Sequence, residues 1–193
     1  MQYSLIHEPW IRVIQLDGTE TKVSLKDCFL NAHLYKCLTG ENVYQSHAMY
    51  RLLFAIAHTV ISRYDVDGCE EEIYDNGIFE AQDAIERWNS YYQKKCFGDA
   101  ATENPFLRYF EKWADRFYLI HDTYPFFQCN HLDCKVAYPA NRLNGMTQES
   151  NNCISLNEDP NRDHEMLFDE AARALVYEMS YGNCGFKPVP GLG

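Results

Sequence analysis

The stretch from Ser46 to about Tyr64 constrains the fold more than any other part of this chain. Tyr50, Leu53, Phe54, Ala57, Val60 and Ile61 recur there at spacings of three and four, which builds one wide apolar stripe on a helix. A stripe that wide must be covered by other elements, so the chain has to assemble a core around it. The composition supplies one: of 193 residues, 46% are hydrophobic and 15% aromatic. Apolar area on that scale offsets chain entropy and excludes disorder. The longest apolar run, Leu52 to Ala57, is closed by His58 and is far too short for a membrane span.

Around this helix the local signals are mixed. Ile11–Gln15 and Thr21–Ser24 flank Asp17-Gly18, the signature of a hairpin. Ser24 with Asp27 makes a capping box for a short helix from Leu25 to about Asn31. Asp65 to Asp75 is acidic, contains Gly68, and reads as a surface loop. Gly77 to about Cys96 reads as a helix with Ile78, Ala81, Ile85, Trp88 and Tyr92 on one face. Pro105 sits at the first position of a helix running to about Trp113. Phe117–Ile120 reads as a short strand. Residues 121–163 hold three prolines, many asparagines and little periodicity, a pattern that is usually functional or disordered at this length. Asp163 then caps a helix from His164 to about Tyr181, closed by Gly182-Asn183-Cys184-Gly185. The expected class is α+β: mostly helical, with a few short antiparallel strands and long functional loops.

The net charge is -11, from 17 basic and 28 acidic residues. Phosphate binding needs clustered basic surface, so this balance speaks against a free-standing nucleic-acid binder. The N-terminus has no basic region followed by an apolar one, so no signal peptide is visible and a cytoplasmic location is expected. The eight widely spaced cysteines are then expected to be reduced, most of them as small buried apolar groups.

Four constellations could carry chemistry. Cys129, His131 and Cys134 lie within six residues and could hold a tetrahedral metal with Cys153 or Cys184. Against this stands the lack of a paired C-x-x-C spacing, which leaves plain thiols in a Cys-rich chain as the simpler reading. Asp65-x-Asp67-Gly68 with Glu70, Glu71 and Glu72 lacks the ligand spacing of a calcium loop and reads as a solvated acidic loop. Gly182–Gly185 lets backbone approach a ligand closely, but it follows a helix C-terminus, where the dipole is negative, so on physics alone it is a C-cap. Asn151–Asn157 offers amides and a hydroxyl that can contact bases and sugars, or can satisfy local turns. No serine-hydrolase elbow, HExxH or phosphate-loop motif is present.

Four blocks, in order, resemble one known family. Leu5-Ile6-His7-Glu8-Pro9-Trp10-Ile11-Arg12-Val13, Leu16-Asp17-Gly18 and Val23-Ser24-Leu25 resemble the opening of the large subunit of the type I-E CRISPR surveillance complex (Cascade), the CasA family. Phe117 to Gln128 is similar to its segment of an aromatic strand followed by His-Pro-Phe-x-Gln, with Tyr124 in place of the His. Asn152 to Asn157 is similar to its Asn-rich loop. Glu170 to Tyr177 with Tyr181-Gly182 is similar to its Ala-rich helix and glycine loop. Two departures are plain: Asn183 and Cys184 interrupt the glycines, and the Cys pair that some members carry before the Ala-rich helix for zinc is replaced by Glu165 and its neighbours.

The resemblance implies a non-catalytic subunit without cofactor. It would recognise the protospacer-adjacent motif in double-stranded target DNA, help start strand opening and recruit the helicase-nuclease. It implies that Gly182, Asn183, Cys184 and Gly185 enter the minor groove and that Ser155, Leu156 and Asn157 help hold nucleic acid. Bare backbone fits that narrow groove, and the degenerate code there lets a loop tolerate several motif sequences. Partners would be guide RNA, target DNA and the other Cascade subunits. Residues 1–193 would form the N-terminal domain of a larger subunit, with a C-terminal helical bundle beyond. The fragment alone is expected to bind DNA weakly. Two further readings remain: a cytoplasmic zinc-binding interaction module built on Cys129, His131 and Cys134, and a Cys/His hydrolase.

Overall fold

The structure, a computed structural model, describes residues 2–75, 78–79, 81–97, 104–129 and 165–181. Its fold is α+β. The hairpin forms as expected: β1 (Ile11–Gln15) pairs antiparallel with β2 (Glu20–Val23), with Ile11 opposite Val23. Asp17 caps the turn by accepting from the Thr19 N–H at 2.8 Å, and Gly18 takes a φ of +90°, a region that glycine enters without steric cost. A third strand, β3 (Tyr35–Leu38), was not expected; it pairs with the other edge of β1, giving the order β2-β1-β3. Between them lies α1 (Leu25–Leu30), where Ser24 Oγ accepts from the Asp27 N–H at 3.0 Å and donates to the Asp27 carboxylate at 2.7 Å. Helix α1 buries Cys28 and Phe29, and burial first, then the Asp27 charge, pushes the Cys28 thiol up to about 12.

Helix α2 runs from Val43 to Arg63, three residues earlier than the periodicity indicates, because Asn42 Oδ1 caps it by accepting from the Gln45 N–H at 2.8 Å. The expected stripe holds in part: Val60 is buried and Leu53, Ala57 and Ile61 pack against the core, but Tyr50 and Phe54 are exposed, Phe54 at 69%, while Ala48, Met49 and Ile56 are buried as well. The helix is apolar around much of its circumference, so periodicity alone does not choose the inward side. Packing against α5 (Phe168–Tyr181), the last helix among the described residues, chooses it.

The acidic loop after α2 is a surface turn in which Asp65 Oδ1 accepts from the N–H groups of Asp67 and Cys69 at 2.9 and 2.8 Å. Its carboxylates do not simply face water. Glu71 pairs with Arg87 at 2.9 Å, Glu70 with Lys112 at 2.6 Å, and Asp67 with Lys94. The expected helix from Gly77 is shorter. Ile78–Phe79 (β5) pairs with Tyr74–Asp75 (β4), and α3 spans Ala81–Gln93. Its face is corrected too: Ile85, Trp88 and Tyr92 are exposed, and Tyr91 is buried instead. The Tyr91 hydroxyl donates to the Tyr64 carbonyl at 2.9 Å, and this polar tie sets the rotation of α3.

Helix α4 (Pro105–Lys112) forms as read, with Pro105 in the first turn. Asn104 caps it, accepting from the Phe106 N–H at 2.9 Å while its amide donates to the Cys96 carbonyl at 2.8 Å. Asn104 is buried, so Asn104→Ala leaves a cap and a buried carbonyl unsatisfied. We expect a loss of about 2 kcal/mol in urea unfolding.

Phe117–Ile120 is not a regular strand. A 3-10 turn at Ala114–Arg116 precedes it, and only an isolated bridge, Ser4 to Tyr118, forms. Leu5 N–H donates to the Phe117 carbonyl at 2.8 Å and Leu119 N–H to the Tyr3 carbonyl at 2.9 Å. The N-terminal segment thus supplies what a neighbouring strand would. Helix α5 begins at Phe168 rather than His164, with Glu165–Leu167 outside it; the expected Asp163 cap lies outside the described residues. The cysteine expectation holds only in part: Cys28 and Cys96 are buried, but Cys37, Cys69 and Cys129 are exposed, all five as free thiols.

The core joins the sheet, α1, α2 and α4 through Leu5, Trp10, Ile11, Val13, Met49, Val60 and Phe106. A buried charge cluster fastens α5 to it. Arg173 is 2% exposed. Its Nη1 donates to the Trp10 carbonyl at 2.9 Å and to Asp169 at 2.8 Å, and Lys22 reaches Asp169 at 2.6 Å.

Candidate functional site

The residues singled out in the sequence, Ser155, Leu156, Asn157, Gly182, Asn183, Cys184 and Gly185, lie outside the described residues. The structure instead shows how the chain is held where it enters the 182–185 segment. Tyr181 is the last residue of α5, and α5 lies along α2. At this end α2 presents Tyr44, His47 and Arg51, spaced by three and four along one face. His47 Nδ1 and Tyr181 Oη share a hydrogen bond. The Tyr44 and Tyr181 rings meet edge to face at 5.9 Å. Arg51 Nη1 donates to the Ser180 carbonyl at 3.4 Å, and its guanidinium stands 5.7 Å from the Tyr181 ring centroid.

The electrostatics of this corner differ from what the sequence alone indicates. A helix C-terminus carries partial negative charge, which disfavours a phosphate beside Gly182. Arg51 sits on that terminus and opposes its field. One turn back, Glu178 is half-buried, and burial pushes its carboxyl up. Sequence reasoning did not single out Tyr44, His47 or Arg51. The signal was their helical spacing against an otherwise apolar α2.

The aromatic segment Phe117–Gln128 closes a second feature. His121 Nδ1 accepts from the N–H groups of Thr123 and Tyr124 at 3.1 and 2.9 Å, so that nitrogen carries no proton. The imidazole stacks between the rings of Tyr118 and Tyr124 at 5.9 and 6.1 Å, and the Arg116 guanidinium lies 3.6 Å over Tyr124. Gln128 folds back, donating to the Leu119 carbonyl at 2.7 Å. The segment walls an open cavity of about 440 Å³ together with Ile56, Tyr109, Trp113 and Phe117. Position 124, where the resembling block has His, works here through its ring face.

Of the residues proposed for a metal, Cys129 is exposed, while His131 and Cys134 lie outside the described residues. Among the described residues no group of three His, Cys, Asp or Glu side chains is placed to hold a metal ion. Among the same residues, no helix is long and apolar enough to cross a membrane.

The chain matches known proteins along nearly its whole length. The family model for CRISPR-associated protein Cse1 covers residues 4–188. A curated relative from Thermus thermophilus, CRISPR-associated protein CasA/Cse1, is 24% identical over 193 residues, which is all of this chain and 34% of that protein. The crystal structure of Cse1 from Acidimicrobium ferrooxidans matches with a TM-score of 0.65 at 26% identity, covering 94% of this chain and 29% of that one. A chain of a CRISPR RNA-guided surveillance complex shares the fold at a TM-score of 0.71 and 17% identity, over 94% of this chain and 34% of that one. The chain thus spans about a third of the length of these relatives. With residues 4–188 matched by one family model, the chain belongs to the Cse1 family of CRISPR-associated proteins.

Proposed function

We propose that this chain is the N-terminal domain of a non-catalytic Cascade subunit, acting in the cytoplasm. In this reading it recognises the protospacer-adjacent motif of double-stranded target DNA in an RNA-guided surveillance complex, helps start strand opening and recruits the helicase-nuclease. The observation that carries the reading is the Cse1 family match over residues 4–188. The geometry agrees with it: α5 is pinned by buried charges and by α2, so the backbone entering Gly182 has a fixed starting point. Grooves of about 270 and 300 Å³ beside the exposed Phe54, Ile85 and Trp88 also fit a chain that works inside an assembly, because monomers seldom leave large apolar patches uncovered. The acidic balance fits as well, since partner subunits and guide RNA contacts can provide the binding surface that this chain lacks.

The test uses the full-length subunit in its assembled complex. Gly182→Phe or Gly185→Phe puts bulk where bare backbone is proposed to enter a groove about 6 Å wide. Gel-shift titration is expected to show target-DNA affinity reduced by roughly tenfold or more, the scale of one lost groove contact, with guide-RNA assembly unchanged. Unaltered DNA affinity in both variants would refute the role of this loop.

A further inference from the structure

We propose that Arg51 and His47, with the Tyr44 and Tyr181 rings beside them, form a binding site for a nucleic-acid phosphodiester next to the 182–185 loop. The inference rests on the reading above and adds a contact that the loop does not make. Arg51 is exposed and held from one side only, by the Ser180 carbonyl and the Tyr181 ring. Among the described residues its Nε and Nη2 have no acceptor, and no carboxylate lies within ion-pair distance. Seven described cations, from Arg12 to Arg173, pair with carboxylates; Arg51 is among those that do not, and what sets it apart is the imidazole and the two tyrosine rings gathered around it.

Holding the guanidinium in place lowers the rotamer entropy lost on binding, and its planar fork matches two phosphate oxygens. His47 lies one turn from Arg51 on the same face and is oriented by Tyr181, which leaves Nε2 for a second oxygen. Tyr44 is 64% exposed and Tyr181 37%. Exposed aromatic rings beside a cation suit sugar and base faces next to a phosphate. A helix-capping arginine would account for the Ser180 contact alone. It would not account for an imidazole and two exposed tyrosines gathered at the same point, one peptide bond from Gly182.

The shared chemistry is the phosphodiester, which target DNA and guide RNA both offer, and the experiment separates them. In the assembled full-length complex, Arg51→Gln, Arg51→Lys and Tyr44→Ala are titrated with target DNA from low to physiological salt, and guide-RNA retention is followed in parallel. Arg51→Gln is expected to weaken DNA binding roughly tenfold at low salt, equally for all motif sequences, and to reduce the salt slope by about 1. Arg51→Lys keeps the slope. Tyr44→Ala changes an exposed ring and so keeps the fold; it is expected to weaken binding about threefold, since stacking on one base is worth that or more. A loss confined to guide-RNA retention, with the same salt signature, supports the site and assigns the phosphate to RNA. Unchanged affinity and slope for both nucleic acids in Arg51→Gln and Tyr44→Ala overturns the site. If Gly182→Phe still impairs DNA binding in that case, the loop reading survives; if it does not, both fall.

Discussion

Arg173→Met is expected to lower stability by about 3 kcal/mol or more in urea unfolding, although the residue touches no surface. The guanidinium is the buried partner of Asp169 and of the Trp10 carbonyl, and removing one side of a buried pair strands the other. Lys22 remains on Asp169, which keeps the loss near the low end of the range for such pairs. The double variant Arg173→Met with Asp169→Leu removes both charges together and is expected to recover much of the loss. The pair also makes stability depend on acid. Burial works against the Asp169 carboxylate, but hydrogen bonds from Lys22 and then Arg173 outweigh it and hold its pKa below the ordinary value. A carboxyl depressed in the folded state contributes its stability above its unfolded pKa of about 3.9 and loses it as pH falls through the folded value. The double variant should lack that component of the acid transition. Equal acid midpoints in the two proteins would show that Asp169 is not its source.

Phe106→Ala is expected to cost about 3–5 kcal/mol, the range for emptying a fully buried aromatic site. Phe106 is completely buried, stacks on Phe29 with centroids 4.6 Å apart, and meets Phe97 at 5.3 Å and Tyr91 at 6.2 Å. It joins α1, α3 and α4, so little can move into the space it leaves. Phe106→Leu keeps most of the volume and should recover more than half of the loss. A thermal melt showing equal midpoints for Phe106→Ala and the parent would mean that the site collapses freely.

What could be read in advance follows how local each cause is. The Asp17-Gly18 turn, the Ser24 cap and the Pro105 helix start are decided within four residues, and all three form as the sequence indicates. Strand β3 could not be read, because Tyr35-Lys36-Cys37-Leu38 has no clean alternation and becomes a strand only by lying along β1. The start of α2 depends on whether Asn42 or Ser46 offers the cap; Asn42 does, and Ser46 instead sits inside the helix with its hydroxyl donating to the Asn42 carbonyl. The exposed ring of Phe54 was unreadable because α5, more than 100 residues later, decides which side of α2 is covered. The same distance hides the corner of Tyr44, His47 and Arg51: it resembles an ordinary solvated helix face until Tyr181 arrives beside it.

The contact between Arg173 and the Trp10 carbonyl also sets a timetable. The two residues are 163 positions apart. At ordinary synthesis rates of about 5 to 20 residues per second, the sheet around Trp10 exists for roughly 10 to 30 s before its partner helix has been made. During that interval the apolar sheet face and the Trp10 carbonyl have no final cover. The first hairpin can form early, but the core around Trp10 closes only once α5 has been made, and until then its apolar face is open to whatever else is nearby.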